Sequence, residues 1–527
     1  MSTARRIVPA EPPVEVPQAS VKLASPSLSE GARVGRNTAF RVAAQGASAL
    51  VNVGAMVLLG NRLSAAGYGE YAYWYALIPL ISSSCDLGAG TIVTREMVRR
   101  PADAARTLGD GLQLRVLVAT LLLLGSFAGR LLMPAASKGL LSLVVLAAVF
   151  DFSQDAAVWT FRSRERLDLE SVLLLVSQLA WLTGIVTALS LGGSLPALLG
   201  SAVVAFALRT LVGAAMLARM GLRPRIELDA GRLRRLVAEG WPIGLALVLV
   251  VVYGRVGVFV LKALSTHVDV ACFNVSYLLS QPFGFLASAL SMAAFPAFAR
   301  RASRMQPGPG AQHHDLSGPM RGAIKYQLVV SVPIAAGLFL MADSLVPLLF
   351  HGGKGYDGAI ATLRVMALAV PFVFLNLHAR YLLAAIDRQR IYLAAVCVGL
   401  VVNVAGCVLT ARAFGAIGAA WTFAVAETLV FMVCQAALAA EVPFPALLAQ
   451  AWRPLIGALV MAVAVASVRG AGWFVQVVVG AVAYGAVLVV TRALSREEWS
   501  VLRGVLATFR PSRTRQPGRL AGRTGPA

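Results

Sequence analysis

The chain has 527 residues, 58% of them hydrophobic and 14% charged, with a mean hydropathy of +0.74. That balance excludes a soluble enzyme and also a globular domain on a single anchor, because a polar domain would dilute the average. The net charge of +22 would suggest nucleic acid in a soluble protein. Here the cations lie between apolar blocks, so they read as topology and no nucleic-acid partner is expected.

In chain order, residues 1–37 are rich in Pro and Ser with scattered charge and no apolar leader, and are expected to form a disordered cytoplasmic tail. Apolar runs long enough to cross a bilayer follow at 42–60, 70–92, 111–129, 139–160, 170–191 and 196–218, the first six-helix lobe within 38–218. A basic linker, 219–237, leads to spans at 238–261, 271–296, 326–349, 359–385, 391–411 and 415–438, the second lobe. A final pair at 452–468 and 472–491 lies within 439–491, and a basic tail, 492–527, ends the chain. The expected fold is therefore an all-α integral membrane protein of about 14 helices. Leu63-Ser64 with an aromatic-rich helix start, Leu77 and Pro79 is matched by Leu264-Ser265, Phe273, Tyr277, Leu278 and Pro282, as duplicated lobes would require.

Alternation through fourteen spans sorts the 47 Lys and Arg residues: 34 fall on the side of the N-terminus, seven on the other side and six inside spans. By the positive-inside rule both termini are cytoplasmic. Cys85, Cys272, Cys397, Cys407 and Cys434 lack metal or redox spacing and fall in apolar stretches, so they read as small packing residues. Trp74, Trp159, Trp241, Trp421 and Trp473 lie near span ends and read as interfacial belt.

Local sequences then resemble a known family. Asn37 to Arg41, Leu63-Ser64-Ala65-Ala66-Gly67-Tyr68-Gly69-Glu70-Tyr71, and Asp86-Leu87-Gly88 leading to Arg95-Glu96 resemble the N-terminal signature of polysaccharide flippases of the multidrug/oligosaccharidyl-lipid/polysaccharide exporter superfamily. Leu349-Phe350-His351-Gly352 with Tyr356 and Leu363, Leu383 to Arg388, Val402-Asn403, Phe414 to Ala420 and Glu427 are similar to its second lobe. The resemblance implies two pseudo-symmetric lobes forming a V around an alternating-access cavity in a bacterial cytoplasmic membrane. It also implies a polyprenyl-diphosphate-linked oligosaccharide as substrate, with a glycan polymerase and glycosyltransferases of the same pathway as partners beside membrane lipid. The seventh helix departs from the family pattern, reading Arg255-Val256-Gly257 where Arg-x-Asp is frequent.

A diphosphate headgroup cannot cross hydrocarbon without a wet, cationic path, and Arg suits it because its planar fork stays charged and pairs bidentately. Arg255 and Arg41 are the candidates from helices lining the N-lobe side, and Arg364 and Arg380, on one helix, from the C-lobe. Arg41, Arg115 and Arg453 lie near span ends, where snorkelling is the default and competes with a cavity role for Arg41, and Asp86 reads as helping Gly88 and Gly90 to terminate its helix. Glu427, midway through its span, and Asp151 are the candidates for ion coupling, with a pair to Arg380 or Arg364 as the competing role for Glu427 and an Asp151–Arg209 pair inside the lobe as that for Asp151. No metal site or bound cofactor is expected, a proton or sodium gradient being the energy source, and the absence of a GxxxxGK[ST] loop argues against ATP hydrolysis. The alternatives are a multidrug/cation antiporter of the same superfamily, or a membrane-embedded glycan polymerase or ligase. The latter is disfavoured by outer loops of about 15 residues or fewer.

Overall fold

The computed structural model describes residues 28–132, 134–227, 229–291, 317–350, 355–439 and 443–493. The expected C-terminal tail lies outside these apart from its first two residues, as do most of the N-terminal tail, His313, His314, His351, Gly352 and Lys354. Twelve helices among the described residues are long and apolar enough to span a bilayer, and a pair bent by 48° makes a thirteenth.

The first lobe runs α1 (Leu28–Arg62), α2 (Ala65–Asp86), α3 (Ala89–Arg99), α4 (Ala104–Leu132), α5 (Ala135–Ser153), α6 (Asp155–Ser163), α7 (Leu167–Ser190) and α8 (Leu195–Arg219). Helix α1 starts about ten residues inside the stretch expected as tail. The bend between α2 and α3 follows from Leu87 and Gly88, both in the left-handed region at φ 48° and 70°. Helix α2 therefore ends at a left-handed cap, and Asp86 does not terminate it alone.

The second lobe runs α9 (Ala230–Leu264), α10 (His267–Ser280, its span continuing through a 3-10 turn at Pro282 to Ser291), α11 (Ser317–Leu340), α12 (Ala342–Leu349), α13 (Asp357–Ala385) and α14 (Gln389–Ala437). The ninth span thus begins nine residues before the sequence indicated, and its expected end is the separate helix α12. The 49 residues of α14 would make a rod of roughly 74 Å at 1.5 Å per residue, more than twice a bilayer core. It is instead a hairpin, turned at Gly415 with φ 53° and ψ −133°. A Cβ on Gly406 would lie 2.7 Å from Thr422 Cγ2, one on Gly399 2.5 Å from Val430 Cγ2, and one on Gly418 2.9 Å from Thr410 Cβ. These pairs close an antiparallel register around residue 414, so α14 supplies two crossings and the total reaches the expected fourteen. Asp269 of α10 accepts the Ala416 N–H at 3.1 Å and fastens the turn to the neighbouring helix.

The last two helices, α15 (Phe444–Ser467) and α16 (Trp473–Val490), pack on each other and on α11, where the Tyr484 hydroxyl donates to the Val329 carbonyl at 2.9 Å. The face from which α1 starts is the side to which the sequence count assigns 34 cations, and it is called the basic face below. The other is the sparse face. Trp241, Trp421 and Trp473 are about half exposed, as an interfacial belt requires, whereas Trp74 and Trp159 are buried and are packing residues. All five cysteines are free thiols, four of them buried.

Candidate functional site

The lobes meet through α2 and α10, the helices that carry the repeated Leu-Ser and aromatic pattern. Their contact is closest toward the sparse face. A Cβ on Gly69 would stand 1.8 Å from the His267 carbonyl oxygen, so only glycine lets the two backbones approach this far. Beside it the Asn274 amide donates to the Tyr68 hydroxyl at 2.9 Å, and the Asn61 amide of α1 donates to the Leu349 carbonyl at 2.7 Å. Phe350 and Tyr356 stack at 4.4 Å between ring centroids and cover Gly60. These contacts form an apolar seal between the lobes.

Arg255 lies directly behind that seal. Its Nη1 donates to Asn274 Oδ1 at 3.5 Å, while the same amide's nitrogen holds Tyr68, and its guanidinium lies 5.4 Å from the centre of the Tyr277 ring. Among the described residues no carboxylate comes within 4.0 Å of it, although it is half-buried in the middle of the bundle. At the departing position, a Cβ on Gly257 would meet Phe273 Cζ at 2.2 Å, so a side chain there requires the Phe273 ring to move.

The other candidates are placed apart from it. Arg41 pairs at 3.6 Å with Glu170, which Arg162 also holds at 2.7 Å, inside the N-lobe at the basic face. Arg364 is paired with Asp343 of α12 toward the sparse face. Arg380 is exposed near the basic end of α13, lies 5.1 Å from the Tyr381 ring centre and has no ion pair among the described residues. Arg255 and Arg380 are thus the two candidates with no acidic partner there.

Glu427 is buried between α9, α13 and the second half of α14. Asn376 Nδ2 donates to its Oε2 at 2.7 Å and to its carbonyl at 2.9 Å. The Tyr253 hydroxyl approaches the same carboxylate outside hydrogen-bonding geometry. No cation pairs with Glu427 among the described residues, so neither Arg364 nor Arg380 neutralises it. An ionised carboxylate in this setting is costly unless it takes up a proton or a metal cation. Asp151 lies 4.0 Å from Arg209, the intralobe pairing weighed as its competing role.

The sequence reading missed one charged cluster. Arg115, with 4% of its side chain exposed, does not snorkel. Its Nη2 is paired with Asp86 and, at 3.0 Å, with Asp155, and its guanidinium lies 4.7 Å from the Trp159 ring centre and 5.1 Å from that of Phe152. The partners are 29 and 40 residues away in the chain, so local spacing carries no signal of them. The hint available was three buried-span charges, Asp86, Arg115 and Asp155, too polar to be left unpaired.

Solved structures share this architecture. The fold matches the lipid II flippase MurJ in an inward closed conformation with a TM-score of 0.70 at 12% identity, over 86% of this chain and 98% of that one. It matches an inward-facing multidrug resistance MATE family transporter of the MOP superfamily with a TM-score of 0.58 at 14% identity, over 77% and 98%. A MOP superfamily transporter from Pyrococcus furiosus matches with a TM-score of 0.53 at 14% identity, over 78% and 95%. No curated protein matches the sequence significantly. The family model described as polysaccharide biosynthesis protein matches residues 34–301, just over half of the chain. The chain therefore belongs to the polysaccharide biosynthesis protein family, a multi-pass membrane protein built on the fold of these flippases and transporters.

Proposed function

We propose that the protein is an alternating-access flippase that moves a polyprenyl-diphosphate-linked oligosaccharide across a bacterial cytoplasmic membrane, with the basic face and both termini in the cytoplasm. The observation that carries this reading is Arg255, a cation at the lobe interface with no carboxylate among the described residues to neutralise it. A substrate diphosphate supplies the missing anion. The hydroxyl and ring of Tyr277 beside it suit the adjoining sugar. Arg380, near the basic face and without an ion pair among the described residues, is a first contact on the way in. Family membership in polysaccharide biosynthesis and the likeness to a lipid II flippase point the same way.

Glu427 is the coupling group in this scheme. A carboxylate buried without a cation exchanges a proton or sodium ion as the lobes rock, which links transport to a gradient without a bound cofactor.

The test uses purified protein in liposomes and a fluorescent polyprenyl-diphosphate disaccharide. Arg255→Ala is expected to lower flipping at least tenfold while insertion is unchanged, and Glu427→Gln to abolish the response to an imposed ion gradient. Wild-type rates in Arg255→Ala refute the substrate assignment. The second reading, a cation antiporter, is favoured by the same unpaired Glu427 and by the likeness to MATE transporters. It predicts gradient-driven uptake of lipophilic cations that Arg255→Ala leaves intact.

A further inference from the structure

A cleft of 520 Å³ opens in the N-lobe, away from the interface with the second lobe, between α4, the break separating α5 from α6, and α8. Leu112, Val116 and Ala119 form its wall on α4, and Ala214 and Ala218 form it on α8. Helix α4 packs on α3 and α5, and α8 packs on α5 and α7, but α4 and α8 scarcely touch. The seam between them therefore faces the bilayer, with Val116 and Leu211 about two-thirds exposed. Its volume lies in the ~300–1,000 Å³ range of small-molecule sites.

Two polar features sit at different depths. Arg115 uses Nη2 for both of its carboxylate partners; its Nε and Nη1 are buried with no acceptor, and Gln154 Oε1 is buried with no donor. At the mouth is Arg223, exposed, on a segment pinned to the first turns of α4 by Arg225 N–H to the Ala105 carbonyl at 2.9 Å and Gln113 Nε2 to the Glu227 carbonyl at 3.0 Å. Along α4, Arg115 lies ten residues beyond Ala105 and two beyond Gln113, roughly 15 Å and 3 Å deeper than the two anchors. An exposed cation at headgroup depth, donors below it and an apolar trough below those match a glycerophospholipid from top to bottom. A chain of water would need polar partners along its length, and these walls are mostly Leu, Val and Ala.

We infer that the α4–α8 cleft binds one anionic glycerophospholipid entering sideways from the leaflet at the basic face. Its phosphodiester rests on Arg223, its ester carbonyls accept from Arg115 Nε and Nη1, and an acyl chain fills the trough. The site is separate from Arg255 and does not depend on the transport reading.

The experiment offers phosphatidylglycerol or phosphatidylcholine to the delipidated full-length protein and reads retained adducts by native mass spectrometry and melting temperature in detergent. Wild type is expected to retain phosphatidylglycerol at least fivefold over phosphatidylcholine and to melt higher with it. Arg223→Ala should lower that preference to near unity. Ala214→Trp, which fills the trough from a bilayer-facing position, should eliminate the preferred adduct, and Ala218→Phe provides an independent plug should the first variant not accumulate. Glycerol phosphate alone should leave the melting temperature unchanged. Equal retention of the two lipids, a preferred adduct that survives both plugs, or a melting shift from glycerol phosphate equal to that from the lipid would each overturn the assignment. The last outcome would mark a simple anion site, and survival of the adduct in the plugged variants would place the lipid outside the cleft.

Discussion

Replacing Gly69 with Ala tests the seal most directly. The added methyl would lie 1.8 Å from the His267 carbonyl oxygen, and real contacts of this kind do not fall below 3.0 Å. Helices α2 and α10 must therefore part by roughly 1.2 Å along that line. Such a displacement stretches the Asn274–Tyr68 hydrogen bond from 2.9 Å to beyond bonding range. Overpacking costs about 1–3 kcal/mol and the lost bond about 1 kcal/mol. The sealed conformation is then disfavoured by about 2–4 kcal/mol, or roughly 30- to 1,000-fold in population. The intrinsic gain of Ala over Gly within a helix, about 1 kcal/mol, applies to sealed and opened conformations alike and cancels.

Cys272, buried on α10 with its thiol against the Gly355 carbonyl at 3.8 Å, reports the change once the other four cysteines are replaced by Ser. Gly69→Ala should raise the rate of its labelling by a membrane-impermeant maleimide at least tenfold. Gly54→Ala, with nothing within 4 Å of the added carbon, should leave it unchanged. Equal labelling in wild type and Gly69→Ala, with both folded, would refute the view that this contact holds the lobes closed.

Three further outcomes are expected. Gly257→Asp, which restores the acidic residue of the Arg-x-Asp pattern, should fail to accumulate because of Phe273, and Gly257→Asp with Phe273→Ala should recover; recovery absent from the double variant would point to another cause. Arg115→Leu leaves the half-buried Asp86 and Asp155 without their cation and should cost about 1.5–3 kcal/mol, seen as a lowered melting temperature in detergent. Adding Asp86→Asn and Asp155→Asn should return most of it, and a melting temperature unmoved by Arg115→Leu would contradict the pairing. At the start of α9, the N–H groups of Arg232 and Gly231 donate to the Asp229 carboxylate and hold it below the ordinary carboxylate range. Because the folded value is depressed, this cap is fully present above about pH 4, the unfolded value, and is lost as pH falls through the folded one. Amide exchange at Gly231 and Arg232, corrected for intrinsic rate, should be flat from pH 7 to 5 and accelerate only below that window; loss of protection already at pH 6 would show that another group governs it.

Much of this architecture is legible in the sequence because lipid imposes a length and an apolarity on every crossing. All fourteen spans have a helical counterpart, and even the hairpin of α14 follows from Gly415 being preceded by a full span and followed by another. Boundaries are less legible. At Met341 the chain turns inside an apolar run that hydropathy alone reads as continuous. The site divides in the same way. A charge within a span announces itself, so Arg255 and Glu427 stand out at once. What sequence cannot reveal is which charges meet: Arg364 finds Asp343, Arg41 finds Glu170, and Arg115 is enclosed by residues remote in the chain. The close approach of Phe273 to Gly257 is equally hidden until the structure is seen.

The hairpin of α14 also determines where the chain tolerates additions. With a single residue making the turn, one inserted amino acid near Gly415 would slide every facing pair, from Gly418 and Thr410 at the tip to Gly399 and Val430 deep in the lobe, and would pull Ala416 off Asp269. The connection at Gly192 and Gly193 has no such coupling: Gly192 is exposed, and a Cβ added to it would meet nothing within 4 Å. An epitope or fluorophore placed there should be accepted on the sparse face, while the same insertion at the α14 turn should eliminate the folded protein.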